Sequence, residues 1–107
     1  MAEISGKGEH GYGLTLRNLS NDIRRKYNIL SKKGSFVADV QPNSPADRAG
    51  LQRGTVITTV IIQNSRGKSI YFDDITPKKF KSLSKKHQKL TLQIEFQGMK
   101  YVQRLRK

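Results

Sequence analysis

Apolar residues along this chain recur at the period of a strand or of a short helix. Leu14 and Leu16 alternate with Thr15 and Arg17, which predicts a strand buried on one face. "SFVADVQ" from Ser35 and "TVITTVII" from Thr55 to Ile62 are dense in β-branched and aromatic residues and predict central strands. A shorter strand, "SIYF", follows the polar turn "QNSRGK". Leu90, Leu92, Ile94 and Phe96 alternate to the end of "KLTLQIEF", the chain turns at Gln97 and Gly98, and "MKYVQRL" returns, so the last segment reads as a hairpin.

Between these strands lie segments with helix punctuation. Ser20 is an N-cap with Asp22 in the first turn and Arg24, Arg25 and Lys26 after it, an order that suits the helix dipole. Ile23 and Tyr27 are its expected buried stripe. In "SPADRAGL", Ser44 is the cap, Pro45 the first helical residue, Asp47 the reciprocal partner and Gly50 the left-handed stop. Thr76 and Pro77 open a third helix, in which Phe80 and Leu83 share a face while Lys78, Lys79, Lys81, Lys85 and Lys86 occupy the others. Asp73 and Asp74 end the strand before it. The pattern predicts a mainly β member of the α+β class, five to six strands in a partly open sandwich or barrel with two or three short helices.

The length of 107 residues suits one such domain. Charge changes the picture more than length does. Lys plus Arg number 21 against 8 Asp plus Glu, a net charge of +13, which admits nucleic acid, an anionic membrane surface or acidic peptide as partners. There is no cysteine, hence no disulfide framework, thiolate metal site or thiol nucleophile. No run approaches the roughly 18 apolar residues of a transmembrane span, and no signal peptide opens the sequence.

Catalytic chemistry finds little to build on. His10 stands beside a glycine turn and His87 at the end of the lysine-rich helix; both read as surface or capping residues, without partners at metal-ligand spacing. Asp73 and Asp74 are adjacent, a poor arrangement for paired carboxylates, and no serine sits in a "GxSxG" elbow. P-loop and dinucleotide fingerprints are also missing. The expectation is a non-catalytic domain with no metal and no cofactor.

Two stretches carry binding potential. "PKKFKSLSKKHQK", Pro77 to Lys89, has six lysines and no acid. Lysines without interleaved exposed aromatics or an arginine fork lack the stacking and bidentate readout of nucleic-acid binders, so nucleic acid is not the expected partner. "GYGLTL" places two glycines around Tyr12 directly before a strand. Successive backbone N–H groups there can form a nest for an anion, and a peptide ending in a carboxylate could also pair with the strand from Leu14 onward, although the spacing by itself favours a plain β-turn.

The same six residues resemble the Gly-Leu-Gly-Phe carboxylate-binding loop of PDZ domains, with Gly11, Tyr12, Gly13 and Leu14 in its places. The likeness extends through "GLTLRNLSNDIRRKYNI" and "GSFVADVQPNSPADRAGLQRGTVIT", which are similar in order and spacing to PDZ domains of HtrA/DegP-type bacterial serine proteases, and "FQGMKYVQRL" looks like their final hairpin. It departs at Thr55, where an acid usually follows "L-x-x-G", and in "IIQNSRGKSIYFDDIT", which is longer than the common turn. Tyr12 is bulkier than the usual aliphatic residue, and an exposed aromatic edge is tolerable in a loop read through its backbone.

The resemblance implies a circularly permuted PDZ fold over residues 11–107; "MAEIS" reads as an expression-derived start or a mature end, so residues 1–10 are expected to be a start or linker. It implies peptide capture by β-strand addition: the N–H groups of Tyr12, Gly13 and Leu14 receive a carboxylate, the strand Leu14, Thr15, Leu16, Arg17 is extended, and Leu14 and Leu16 line the pocket for the last side chain. Phe80 and Leu83 match the apolar stripe of the helix forming the other wall; Lys7 and Lys79 are electrostatic assistants. The implied partners are peptide or protein C-termini, unfolded hydrophobic segments and the protease domain of a parent chain, itself a homo-oligomeric HtrA-like serine protease of the periplasm or cell envelope. The alternatives are a basic docking module for anionic membrane or nucleic acid, or a PDZ domain of another protease or a secretion system. A groove open to solvent and a groove filled by its own chain both fit this sequence.

Overall fold

Alternating strands and punctuated helices appear in the expected order in the computed structural model, which describes residues 10–107. The elements are β1 (Leu14–Asn18), α1 (Asn21–Lys26), β2 (Ser35–Val40), α2 (Pro45–Arg48), β3 (Val56–Gln63), β4 (Ser69–Asp73), α3 (Pro77–Lys86), β5 (Lys89–Phe96) and β6 (Met99–Arg106). The six strands form one antiparallel sheet in the order β1-β2-β3-β5-β6, with β4 paired to β3 off that path. β1 and β6 end the path; α3 lies against β1 and α2 reaches β6.

Local chemistry explains the helix limits. Ser20, Ser44 and Thr76 are the N-caps, each accepting from the backbone N–H three residues on, and Pro45 and Pro77 occupy the first helical positions where no N–H is missed. Asp47 reaches back to the Asn43 N–H at 2.9 Å, one residue beyond the reciprocal partner a capping box would use. Gln97 and Gly98 both take positive φ, 52° and 80°, the conformation of a two-residue hairpin turn.

The two sheet faces bury different clusters, as the strand period requires. Ile57 and Val37 face a large core with Leu14, Leu16, Val60, Phe80, Leu83, Leu92 and Leu105, whereas their neighbours Val56 and Phe36 join Ile29 in a small cluster on the other face. α1 covers that small cluster with a weaker stripe than its sequence predicts. Ile23 is only half-buried and Tyr27, which follows the helix as its C-cap, is 37% exposed. Its ring leans on Phe36 at a centroid distance of 4.8 Å, so it serves as a flap over the cluster's edge.

One acid is buried where strand alternation predicts solvent. Glu95, on β5, is 2% exposed and accepts from Leu30 N–H at 2.7 Å, Ser31 N–H at 2.8 Å and Ser31 Oγ at 2.5 Å. Burial alone pushes its carboxyl up, but the Ser31 hydroxyl, the two backbone donors and Lys100 outweigh it and hold the carboxyl below its ordinary range. Glu95 thereby anchors the α1–β2 connection to β5. At Thr55, the hydroxyl donates to Gln52 O at 2.7 Å and closes the turn without the missing acid.

Candidate functional site

Gly11, Tyr12 and Gly13 take consecutive positive φ values of 96°, 57° and 86°. Leu14 N–H donates back to Gly11 O at 3.0 Å, so residues 11–14 form a closed turn with two left-handed central residues. Both glycines are also required by space. A Cβ on Gly11 would lie 2.2 Å from Ser84 Oγ, and one on Gly13 would lie 2.1 Å from Ser44 Cβ. The turn is thus wedged between α3 and the start of α2, where Ala46 N–H donates to Tyr12 O at 3.0 Å.

Tyr12 does not expose its ring. It is 4% exposed, its hydroxyl donates to His87 O at 2.8 Å, and its ring meets Phe80 edge-on at 6.3 Å. The phenol bridges the turn and the end of α3. Burial pushes this phenol up to about 12. The Lys107 ammonium stands 5.4 Å from the same ring and donates to Ser84 O.

β1 runs on from the turn with one edge paired and one facing α3. Gln41 N–H donates to Gly13 O on the β2 side, and by the strand period the backbone groups of Leu14 and Leu16 point to the opposite edge. The pairing skips Ala38 on β2, leaving β1 itself regular. The side chains of Leu14 and Leu16 enter the same core cluster as Phe80 and Leu83 of α3, while Thr15 is half-buried and Arg17 exposed.

The structure therefore brings Gly11, Tyr12, Gly13, Leu14, Leu16, Phe80 and Leu83 together. It gives the Leu14 N–H a partner within the turn, and among the described residues no hydrogen bond engages the N–H of Tyr12 or Gly13. Lys79 points elsewhere: its ammonium lies 4.8 Å over the Phe72 ring on β4, toward the end of α3 remote from the turn. Lys7 lies outside the described residues.

Two residues at this site escape the sequence reading. His10 donates its backbone N–H to Leu14 O at 2.9 Å, and its Nδ1 accepts from Leu16 N–H at 3.0 Å. Ser84, 2% exposed, divides its hydroxyl between Lys81 O at 2.8 Å and His10 O at 3.1 Å. The missed signal is the turn itself. Three residues of positive φ in a row reverse the chain, so His10, just before them, is laid along the strand after them.

Among the described residues no group of three His, Asp or Glu could hold a metal ion, and no helix is long and apolar enough to cross a membrane.

A family model described as "PDZ domain" matches residues 2–71. A protein of Hahella chejuensis named "Probable periplasmic serine endoprotease DegP-like" is 38% identical over 47 residues, 44% of this chain and 10% of that protein. One of Haemophilus influenzae, named "Probable periplasmic serine protease do/HhoA-like", is 35% identical over 48 residues, 45% of this chain and 10% of that protein. The matched stretch is thus a small part of either relative. Among solved structures, the HtrA3 PDZ domain bound to the phage-derived ligand FGRWV superposes with a TM-score of 0.71 at 18% identity, covering 92% of this chain and 84% of that one. The HtrA-type protease AlgW with a decapeptide superposes with a TM-score of 0.68 at 21% identity, covering 89% of this chain and 27% of that one.

Proposed function

This chain belongs to the PDZ domain family, and we propose that residues 11–107 act as a non-catalytic peptide-capture module of an HtrA/DegP-like serine protease. The observation that carries this reading is the α3-facing edge of β1, whose Leu14 and Leu16 backbone groups run on from the Gly11–Leu14 turn. A peptide adds as a strand to that edge, its last apolar side chain enters between Leu14, Leu16, Phe80 and Leu83, and its carboxylate meets the Tyr12 and Gly13 N–H groups. Two solved neighbours of the same fold carry peptides, which supports ligands of this class. The names of the similar proteins support a periplasmic or cell-envelope setting, with the module tethering substrate to the protease domain of a homo-oligomeric parent.

A few backbone hydrogen bonds and one buried side chain suit a Kd in the micromolar range, roughly −7 to −8 kcal/mol, because an extended peptide loses entropy on ordering. The lysines of α3 favour peptides with acidic residues upstream of the terminus. The test is a titration of labelled peptides, FGRWV among them, with free and amidated C-termini. Tighter binding of the free acid is expected; equal affinity for both forms overturns the carboxylate site. The net charge of +13 favours a second reading, a basic docking surface for anionic membrane or nucleic acid. Binding that ignores peptide termini and collapses with salt would select it.

A further inference from the structure

A strand docking on β1 needs the two backbone groups that His10 already uses. Its N–H occupies Leu14 O at 2.9 Å as a docking strand's N–H would, and its Nδ1 takes the place of that strand's carbonyl on Leu16 N–H at 3.0 Å. Its own carbonyl is held from the opposite wall by the Ser84 hydroxyl at 3.1 Å. His10 thus spans the groove from β1 to α3 through Leu14, Leu16 and the shared Ser84 hydroxyl, and with it in place Leu14, Leu16, Phe80 and Leu83 are all at most 4% exposed.

We propose that His10 is a built-in competitor for the β1 edge, which a peptide must displace before it can bind. This inference rests on the peptide-capture reading and adds its regulation. The imidazole suits the role because an unprotonated ring nitrogen accepts a hydrogen bond while fixed by only two side-chain torsions. A backbone strand would bring a ladder of hydrogen bonds along β1, of which His10 occupies the Leu14 O and Leu16 N–H positions. A peptide that completes this ladder releases the plug.

The experiment compares the wild type with His10→Ala, which deletes the ring acceptor and keeps the backbone N–H, and with His10→Asn, whose side-chain oxygen can replace Nδ1. Amide exchange at Leu16 is measured without peptide, and Kd is measured with the tightest free-carboxylate peptide of the panel above. In His10→Ala, Leu16 is expected to exchange about tenfold faster and Kd to fall about three- to tenfold, the weight of one hydrogen bond. His10→Asn should restore both toward wild type. Unchanged Leu16 exchange in His10→Ala overturns the plug, as does faster exchange with unchanged Kd; in either case peptide binding itself still stands. If neither the wild type nor any variant binds any peptide, the capture reading falls and the competitor role falls with it, whatever Leu16 does.

Discussion

The Tyr12 hydroxyl donates to the His87 carbonyl at 2.8 Å, tying the glycine turn to the carboxyl end of α3 across 75 positions of sequence. Replacing Tyr12 with Phe keeps the ring against Phe80 and removes only this bond, leaving a carbonyl short of a partner. The expected loss is about 1–2 kcal/mol in urea unfolding.

The same phenol sets an alkaline limit. Its folded pKa, about 12, lies above the ordinary 10.0, so burial favours the protonated form. This contribution is complete below the unfolded value and is lost as pH rises through the folded one. Between pH 10 and 12 the wild type should therefore lose Tm more steeply than Tyr12→Phe, and the difference between the two profiles isolates this group from the other tyrosines and lysines.

Glu95 sets the acid limit. Its folded pKa is lowered, so its stabilisation is present above the unfolded carboxylate range and disappears as pH falls through the folded value. Glu95→Gln, which weakens three charge-assisted bonds, should cost about 1–3 kcal/mol at neutral pH. Its stability should also fall less than the wild type's on going from pH 6 to pH 3. Chemical unfolding at both pH values checks this.

Gly11→Ala meets both a left-handed backbone and Ser84, with Oγ 2.2 Å and Cβ 2.6 Å from the added methyl. A loss of about 2 kcal/mol or more is expected, against about 1–2 kcal/mol for the backbone conformation alone. In a double-mutant cycle, Ser84→Gly should recover the steric part and leave the conformational part. Strict additivity would show that the α3 contact carries no weight.

Restoring the family's acid at Thr55 should harm rather than help. The Thr55 side chain is buried and donates to Gln52 O at 2.7 Å; an aspartate there has no proton to give and faces an acceptor. Thr55→Asp is expected to lose about 2 kcal/mol or more, whereas Thr55→Ser retains the donor and should stay within about 1 kcal/mol of the wild type. Thermal melts at neutral pH separate the two.

Much of the architecture was legible because it rests on local rules. Ser44-Pro45 with Asp47 and Gly50 specifies a short helix by itself, and Leu90, Leu92 and Ile94 specify a one-sided strand by their spacing. What escaped depends on which distant groups meet. Glu95 occupies an outward position of β5, and only the fold reveals that Leu30 and Ser31 bring their donors to it. Tyr12 sits in a glycine turn where an exposed ring edge is tolerable, yet the end of α3 offers its hydroxyl a carbonyl. The site was readable as a turn followed by a strand, but not the return of His10 onto that strand, because a side chain acting as a backbone surrogate leaves no pattern in hydrophobicity.

The separation of the two core clusters divides the domain into cooperative units of unequal depth. Freeing the segment from α1 to Ser31 uncovers chiefly Ile29, Phe36 and Val56 and breaks the Glu95 anchor, while the cluster shared by β1, β2, β3, β5, β6, α2 and α3 keeps its contacts. Amides of residues 21–31 should therefore exchange through an opening shallower than global unfolding, one that leaves the turn and the β1 edge assembled. In this domain the layer on the back of the sheet can fluctuate while the layer that carries the glycine turn and the β1 edge holds its shape.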